Sequence, residues 1–406
     1  MKERKSVTRA IASRYQKVSK KQKGTILDEF TQLTGYTRCY ASYLLGNHGK
    51  RVRISSNVVV VGDVRKRKKK RDRHTIYDSR VLDALKKIWL IMDCICGKRL
   101  APMLKEVIEV LERHKEIEFE SDVREKLLKV SPATIARLLR EEKKRWALRS
   151  RSKTKPGTLL RHQIPIRTFS EWDEQRPGFV EMDLVGHDGG DSSGDYIQSL
   201  DVTDVCTGWR ETQAVRNKAQ VWVFEALKQI RQRLPFRLLG IDSDNGSEFI
   251  NSHLYRYCHK EQITFTRARA YRKNDSCYVE QKNYSVVRRA VGYMRYDTEQ
   301  QLGVLNELYG YLRLYTNYFQ PVMKLIEKTR IGSRIRKKYD KPKTPYQRIL
   351  ESSHVHVEKE NKEALRREYA KLNPAELKRY ITGLQIKLRK LTIKQKEIEK
   401  KIAQSI

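Results

Sequence analysis

The chain has 406 residues, 86 of them Lys or Arg against 49 Asp or Glu, for a formal net charge of +37 and a pI of about 10.0. That length has room for roughly two to four domains with at least one sizeable core, and the charge selects polyanionic partners: DNA, RNA or an anionic surface. No apolar run reaches the roughly 18 residues that span a bilayer, and Met1-Lys2-Glu3-Arg4-Lys5 is not followed by a signal-peptide core, so a cytoplasmic protein outside the membrane is expected.

In chain order, residues 1–50 predict a helix-turn-helix unit. Ile26, Phe30 and Leu33 fall at i, i+4 and i+7, Gly35 makes the turn, and Thr37 can cap a second helix to about Leu45. Arg38 and Tyr40 are exposed on it as candidate DNA contacts. A basic linker at 51–75 follows, in which Arg65-Lys66-Arg67-Lys68-Lys69-Lys70-Arg71-Asp72-Arg73 has eight basic residues in nine. Such a run repels itself and stays extended without a polyanion. It either tracks DNA, releasing a counterion for each phosphate neutralised, or simply solvates a linker.

A second helix-turn-helix unit is predicted over 76–147, with helices around Val81 to Met92 and Met103 to Leu111. Ser131-Pro132 is a cap followed by proline at the first helical position. The recognition helix then runs from about Ala133 to Lys144, with Ile135, Leu138 and Leu139 inward and Thr134, Arg137, Arg140 and Lys143 left for phosphates or base edges. A plain helical bundle has the same apolar pattern; the surrounding charge favours DNA. A second basic linker, 148–172, leads on.

Residues 173–326 predict an α/β domain. Strands near 178–185, 196–203 and 208–215 suggest an antiparallel meander, followed by a helix over about 218–234 whose buried face is Val221, Phe224, Leu227 and Leu234. Strands around 236–242 and 262–267 then alternate with helices, giving a mixed sheet covered by helices. Three acids stand out. Asp183 lies in the strand-like Phe179-Val180-Glu181-Met182-Asp183-Leu184-Val185, and Asp244 ends Leu238-Leu239-Gly240-Ile241-Asp242-Ser243-Asp244 where Asn245-Gly246 breaks the strand. Glu280 follows after 35 intervening residues, in a helix capped by Asn274, Asp275 or Ser276 and continuing through Val286, Val287, Ala290 and Val291. Mg²⁺ takes oxygen ligands, and two such ions can stabilise both the attacking and leaving oxygens of an in-line phosphoryl displacement. Asp242, on the same strand face as Asp244, competes for the second ligand position. Asp201 and Asp204 fit structural roles better, and Asp188, Asp191 and Asp195, among glycines, lack EF-hand spacing and fit a solvated turn.

Through Arg176-Pro177-Gly178-Phe179-Val180-Glu181-Met182-Asp183, Ile241-Asp242-Ser243-Asp244-Asn245-Gly246-Ser247-Glu248-Phe249, Lys273-Asn274-Asp275 and Val279-Glu280-Gln281-Lys282-Asn283, the chain resembles the DDE transposases of bacterial insertion sequences, within the retroviral-integrase superfamily. The resemblance covers about residues 160–325 and selects Asp244 over Asp242. It implies a ribonuclease-H-like core, two Mg²⁺ ions (or Mn²⁺) held by Asp183, Asp244 and Glu280, nicking at transposon ends, and transfer of the freed 3′-hydroxyl into target DNA. Double-stranded DNA, as terminal inverted repeats and target, and at least one further copy of the chain are the implied partners. The implied location is bacterial cytoplasm, on the nucleoid when bound to DNA. Arg272, Lys273, Lys282 and Arg288 surround the Glu280 segment, some of them facing the DNA backbone. Retroviral integrases carry an N-terminal His/Cys zinc module, which Cys94-Ile95-Cys96 with His74 does not reproduce. The six cysteines, Cys39, Cys94, Cys96, Cys206, Cys258 and Cys277, fit reduced, unligated thiols.

The tail, 327–406, is predicted to be basic and largely helical. Asn373-Pro374-Ala375-Glu376 starts a helix in which Leu377, Ile381, Leu384, Leu388, Leu391, Ile398 and Ile402 make an a/d stripe with Gln395 at its one polar position. Self-association through a coiled-coil seam is the favoured use of that stripe, an intramolecular hairpin with residues 362–372 the other. The fold class expected is therefore multidomain: N-terminal all-α helix-turn-helix units, a central α/β ribonuclease-H-like domain and a helical tail with a coiled-coil seam. Competing functions are a structure-selective nuclease of the same fold, a DNA-binding regulator with an inactive core, and an RNA-binding protein that relies on charge.

Overall fold

A computed structural model describes residues 2–55, 58–61, 76–145, 166–167, 176–244, 246, 248–268, 279, 282–331, 334–354 and 358–405. It divides into two compact units, Met1–Ile76 and Tyr77–Ile406.

The first unit packs helices α1 (Lys2–Lys17), α2 (Lys20–Thr34) and α3 (Arg38–Gly46). Ser19 and Gln22 form a reciprocal cap at the start of α2, and Gly35, at φ 66°, ends it by donating its N–H to Thr31 O over 2.8 Å. Ile26, Leu27 and Phe30 meet Ala12, Tyr15, Ala41, Leu44 and Leu45 in its core. Leu33, expected inward, is 71% exposed. Thr34 takes the inner position, its hydroxyl donating to Phe30 O, because the buried face turns through Leu27 rather than following the seven-residue step. Strands β1 (Arg51–Ser55) and β2 (Val58–Val61) then form an antiparallel hairpin in what sequence reads as a linker. The basic run 65–73 lies outside the described residues.

The second unit opens with helices α4 (Ser79–Ile91), α5 (Gly97–Leu100), α6 (Leu104–Arg113), α7 (Ser121–Lys129), α8 (Pro132–Leu138) and α9 (Arg140–Arg145). Asp78 caps α4 through Val81 N, and Ser131 caps α8 through Thr134 N. The predicted recognition helix is broken at Leu139, which is buried with Ile135 while Leu138 is half-buried. Gly97 sits where α5 crosses α8 so closely that a Cβ would lie 2.4 Å from Pro132 O.

A short strand β3 (Ile166–Arg167) precedes β4 (Phe179–Gly186), β5 (Gln198–Asp204), β6 (Arg210–Val215), helix α10 (Gln220–Arg233), β7 (Gly240–Ser243), α11 (Ser252–Lys260) and β8 (Thr264–Ala268). The six strands form one mixed sheet in the order β3-β8-β7-β4-β5-β6. The expected meander is present: β4, β5 and β6 pair antiparallel, while β7 joins the other side of β4 in parallel and β8 continues parallel beyond it. Helices α10 and α11 cover one face through Val223, Ala226, Leu227, Ile230, Leu254 and Cys258. Val221, expected inward, is 58% exposed, because the buried stripe of α10 runs through 223, 226, 227 and 230.

After β8 the described chain resumes with Val279 and a π-helical turn, Asn283–Arg288, leading into α12 (Arg289–Val291). It continues as α13 (Glu299–Phe319), β9 (Leu325–Ile331), β10 (Arg334–Tyr339), α14 (Pro345–Glu351), α15 (Lys359–Lys371) and α16 (Pro374–Ser405). One hydrophobic cluster joins Leu85 and Ile88 of α4, Val107 and Leu111 of α6, Leu305, Leu308 and Leu312 of α13, and Ile381 and Leu388 of α16.

The predicted seam is therefore corrected. Leu377, Ile381, Leu384 and Leu388 are all at most 8% exposed, buried within this chain with α16 lying along α13. Gln395, the polar interruption, donates to Asp297 Oδ1 at 2.7 Å and accepts from Gln301 Nε2 at 3.2 Å. A narrow a/d stripe fits any single helix partner, and α13 is 21 residues long with a complementary apolar face. Within this chain the partner of the stripe is thus α13 rather than the 362–372 helix alone, while the side chains of Ile398 and Ile402 lie outside the described residues.

Candidate active site

Strands β4 and β7 run parallel, with pairs Phe179 to Gly240, Val180 to Ile241, Glu181 to Asp242 and Met182 to Ser243. Asp183 and Asp244 are the next residue on each strand, just past the last pair. Side chains alternate faces along a strand, so Glu181, Asp183, Asp242 and Asp244 belong to one side, opposite the Val180, Met182 and Ile241 side chains that meet α10 and α11.

Depth separates the acids. Asp242 is 1% exposed and accepts from Thr266 Oγ1 at 2.6 Å; Glu181 is fully buried and accepts from Val279 N at 2.8 Å. Asp201, opposite Asp183 on β5, accepts from Arg210 Nε at 2.6 Å with both side chains buried. Burial pushes its pKa up and Arg210 pulls the other way. Asp204 accepts from Gly178 N, Thr207 N and Thr207 Oγ1 and so closes a turn. Asp188, Asp191 and Asp195 belong to a turn clasped by Arg295, whose guanidinium donates to the carbonyls of Asp191, Ser193 and Asp195.

Asp183 and Asp244 are only half-buried. Asp183 Oδ1 accepts from Leu184 N at 2.8 Å and Oδ2 from Asn283 Nδ2 at 2.6 Å. Asp244 Oδ1 accepts from Gly246 N at 2.9 Å, and burial raises the Asp244 pKa with that one hydrogen bond opposing it. The Glu248 carboxyl group packs over Gly246, 2.6 Å from where a Cβ would stand, so a side chain there would displace the Glu248 carboxylate. Two oxygen-donor side chains, one of them a desolvated acid, suit a hard divalent cation. Among the described residues no group of three or more His, Cys, Asp or Glu is set to hold a metal, and Glu280 lies outside them. Its described neighbours Val279 and Asn283 bond Glu181 and Asp183, so the segment on either side of Glu280 is docked against β4. Glu181 and Asn283 were not singled out in the sequence. For Asn283 the signal was its place one helical turn after Glu280.

The predicted DNA contacts are placed as follows. Arg38 is exposed and ion-paired with Asp28, and Tyr40 is 41% exposed and stands edge-on to Tyr36. Arg137, Arg140 and Lys143 are exposed; Thr134 is half-buried, its N–H in the Ser131 cap. Lys282 is half-buried, with its ammonium desolvated and its pKa pushed down to about 7, Arg210 and Arg99 adding to the effect and Asp201 opposing it. Arg288 donates to Gly186 O at 2.7 Å and stacks over Tyr293, engagements that belong to the fold. Arg65, Lys66, Arg67, Lys68, Lys69, Lys70, Arg71, Arg272 and Lys273 lie outside the described residues. No described helix is long and apolar enough to cross a membrane.

The architecture defines an α/β protein in which a mixed sheet, flanked by helices, brings two distant aspartates to the end of its parallel strand pair. The chain belongs to the same family as the uncharacterized protein y4rM of Sinorhizobium fredii (strain NBRC 101917 / NGR234), to which it is 39% identical over 345 residues, 85% of this chain and 94% of the relative. No family model matches. Among solved structures, the catalytic core of BIV integrase is similar at 17% identity and a TM-score of 0.29, over 46% of this chain and 98% of that one. The HTLV-2 integrase catalytic core, determined in complex with magnesium in a dimeric form, is similar at 14% identity and a TM-score of 0.28, over 36% of this chain and 90% of that one.

Proposed function

We propose that the chain is an insertion-sequence transposase of the DDE type, with a ribonuclease-H-like catalytic domain, Asp183, Asp244 and Glu280 as its metal ligands, and two Mg²⁺ or Mn²⁺ ions as cofactors. The observation that carries this reading is the emergence of Asp183 and Asp244 on adjacent parallel strands, one step beyond the last paired residues, while Asp242 stays bonded to Thr266 inside the sheet. The distinctive sequence around Glu280 supplies the third acid.

Bound there, divalent ions would supply charge stabilisation for the attacking and leaving oxygens of a phosphoryl displacement. The protein's part is positional. Asn283 fixes the Asp183 carboxylate, Gly246 N fixes that of Asp244, and Arg210 neutralises Asp201 so that it does not compete. In nicking, a water oxygen attacks the phosphorus at the transposon end, the bond to the 3′-oxygen breaks, and that oxygen leaves as a 3′-hydroxyl. In joining, the same hydroxyl attacks a target phosphodiester and displaces its 3′-oxygen, so bonds made and broken balance without a covalent protein intermediate. Terminal inverted repeats and target duplex are the substrates, two or more copies of the chain pair the ends, and the exposed Arg137, Arg140 and Lys143 contact DNA.

The test is strand transfer with DNA of the element's own ends and Mg²⁺ or Mn²⁺. Joined products that depend on the free 3′-hydroxyl support the reading. Cleavage without joining would point to a nuclease, and no reaction of either kind would point to a regulator.

A further inference from the structure

The strands β9 and β10 form a sheet of their own, antiparallel from the Arg334 to Ile331 pair down to the Tyr339 to Leu325 pair. An isolated two-stranded hairpin is marginal in water, so its base must be held. Here Asp340 holds it: its Oδ1 accepts from Lys324 N at 2.6 Å, its own N–H donates to Lys324 O at 2.9 Å, and its Oδ2 accepts from Arg348 Nη2 at 2.6 Å. Val322 and Lys343 bridge backbone to backbone just below, and Lys324 Nζ reaches Val205 O at 2.8 Å. The base is tied to the sheet domain while the strands project from it.

The projecting strands are strongly basic. Residues 325–341 carry seven Lys or Arg against Glu327 and Asp340. Arg336, Lys337 and Lys338 are exposed, and their side chains make no hydrogen bond or ion pair with any described residue. Interleaved with them are Ile326 at 61% exposure, Ile335 at 53% and Tyr339 at 46%. Lysines at sheet edges often serve only to discourage pairing with other strands. That role does not account for half-exposed isoleucines beside them, which a merely solubilising surface would not keep.

We infer that the hairpin β9–β10 is a duplex-DNA-binding ribbon, with Arg336, Lys337 and Lys338 on backbone phosphates and the interleaved apolar side chains against sugars or base edges. Its dimensions fit. Two strands lie about 4.8 Å apart and six or seven residues extend roughly 20 Å, and the major groove, about 12 Å wide, admits a two-stranded ribbon. The inference rests on the DNA-processing reading and adds an element to it that the helical units do not contain.

The experiment measures affinity of the full-length protein for random-sequence duplex DNA across a salt series. The variant Arg336→Gln/Lys337→Gln/Lys338→Gln should bind about tenfold or more weakly, and the slope of log K against log salt should fall by about 2 to 3, one counterion for each phosphate no longer neutralised. The charge-retaining variant Arg336→Lys/Lys337→Arg/Lys338→Arg should bind as the unaltered protein does; equal loss in both would trace the effect to folding and overturn the inference. An unchanged affinity and slope in the Gln variant, with the unaltered protein binding duplex, would overturn the hairpin's role and leave the transposase reading standing. Loss confined to a single-stranded RNA probe would assign the hairpin to RNA instead. Failure of the unaltered protein to bind duplex at all would remove the transposase reading itself.

Discussion

Asn283 donates its side-chain amide to Asp183 Oδ2 at 2.6 Å, across one hundred residues of chain. The bond fixes one oxygen of a proposed metal ligand from a residue three positions after Glu280 in the sequence. Replacing such an outer partner typically costs about 10- to 100-fold in metal affinity or activity. Asn283→Ala is therefore expected to weaken Mn²⁺ binding by calorimetry and to slow strand transfer over that range, with duplex affinity unchanged. Normal metal binding in the variant would reduce the contact to packing.

Asp244→Asn should abolish both nicking and joining while leaving DNA binding in place. Asp242→Asn has a different expected signature, because Asp242 is buried against Thr266: lower stability, with residual reaction in whatever fraction stays folded. Strand transfer surviving in Asp244→Asn but lost in a well-folded Asp242→Asn would move the second ligand position two residues back.

The sheet was legible because its strands announce themselves by alternation and its turns by glycine, and the placing of Asp183 within β4 and of Asp244 just past β7 followed from the same strand pattern. Contacts between distant segments were not. Nothing local in Asn283 or Glu181 says what each will bond, and the apolar period of α16 specifies a helical partner without saying whether it lies on another chain. The β9–β10 hairpin was missed because basic residues dominate its strands and obscure the alternation. On α10 the predicted inner face held at Leu227, with Phe224 and Leu234 half-buried, and failed at Val221, whose place the stripe gives to Val223.

The contact between Glu116 and the Arg379 guanidinium on α16, supported by Asn373 Nδ2 at 2.7 Å, holds the Glu116 carboxyl down at about 2. A depressed carboxylate adds stability above its unfolded pKa, near 4.5, and loses it as pH falls toward the folded value. Arg379 is 62% exposed, so solvent screening limits the pair to about 1 kcal/mol. Glu116→Gln should be less stable than the unaltered protein at pH 7 by about that amount in urea unfolding. The gap should shrink between about pH 4.5 and pH 2; a gap that stays constant to pH 3 would assign the loss to the amide's geometry instead.

The burial of the α16 stripe changes what its removal should do. Leu388 is 1% exposed and Ile381 2%, both inside the cluster that also holds α13 and α4. Leu388→Ala or Ile381→Ala leaves a cavity there and should cost about 2 to 5 kcal/mol in unfolding free energy. Truncation after Lys371 uncovers the apolar face of α13 altogether, so the expected result is an unfolded or aggregating second unit rather than a folded protein of lower oligomeric order. Light scattering on the two alanine variants separates the possibilities. Because the stripe is used inside each chain, they should show the oligomer of the unaltered protein together with reduced resistance to urea, independent of protein concentration. Dissociation to a smaller species with unfolding resistance intact would mean that the helix exchanges between copies, and that α13 of one chain receives α16 of another.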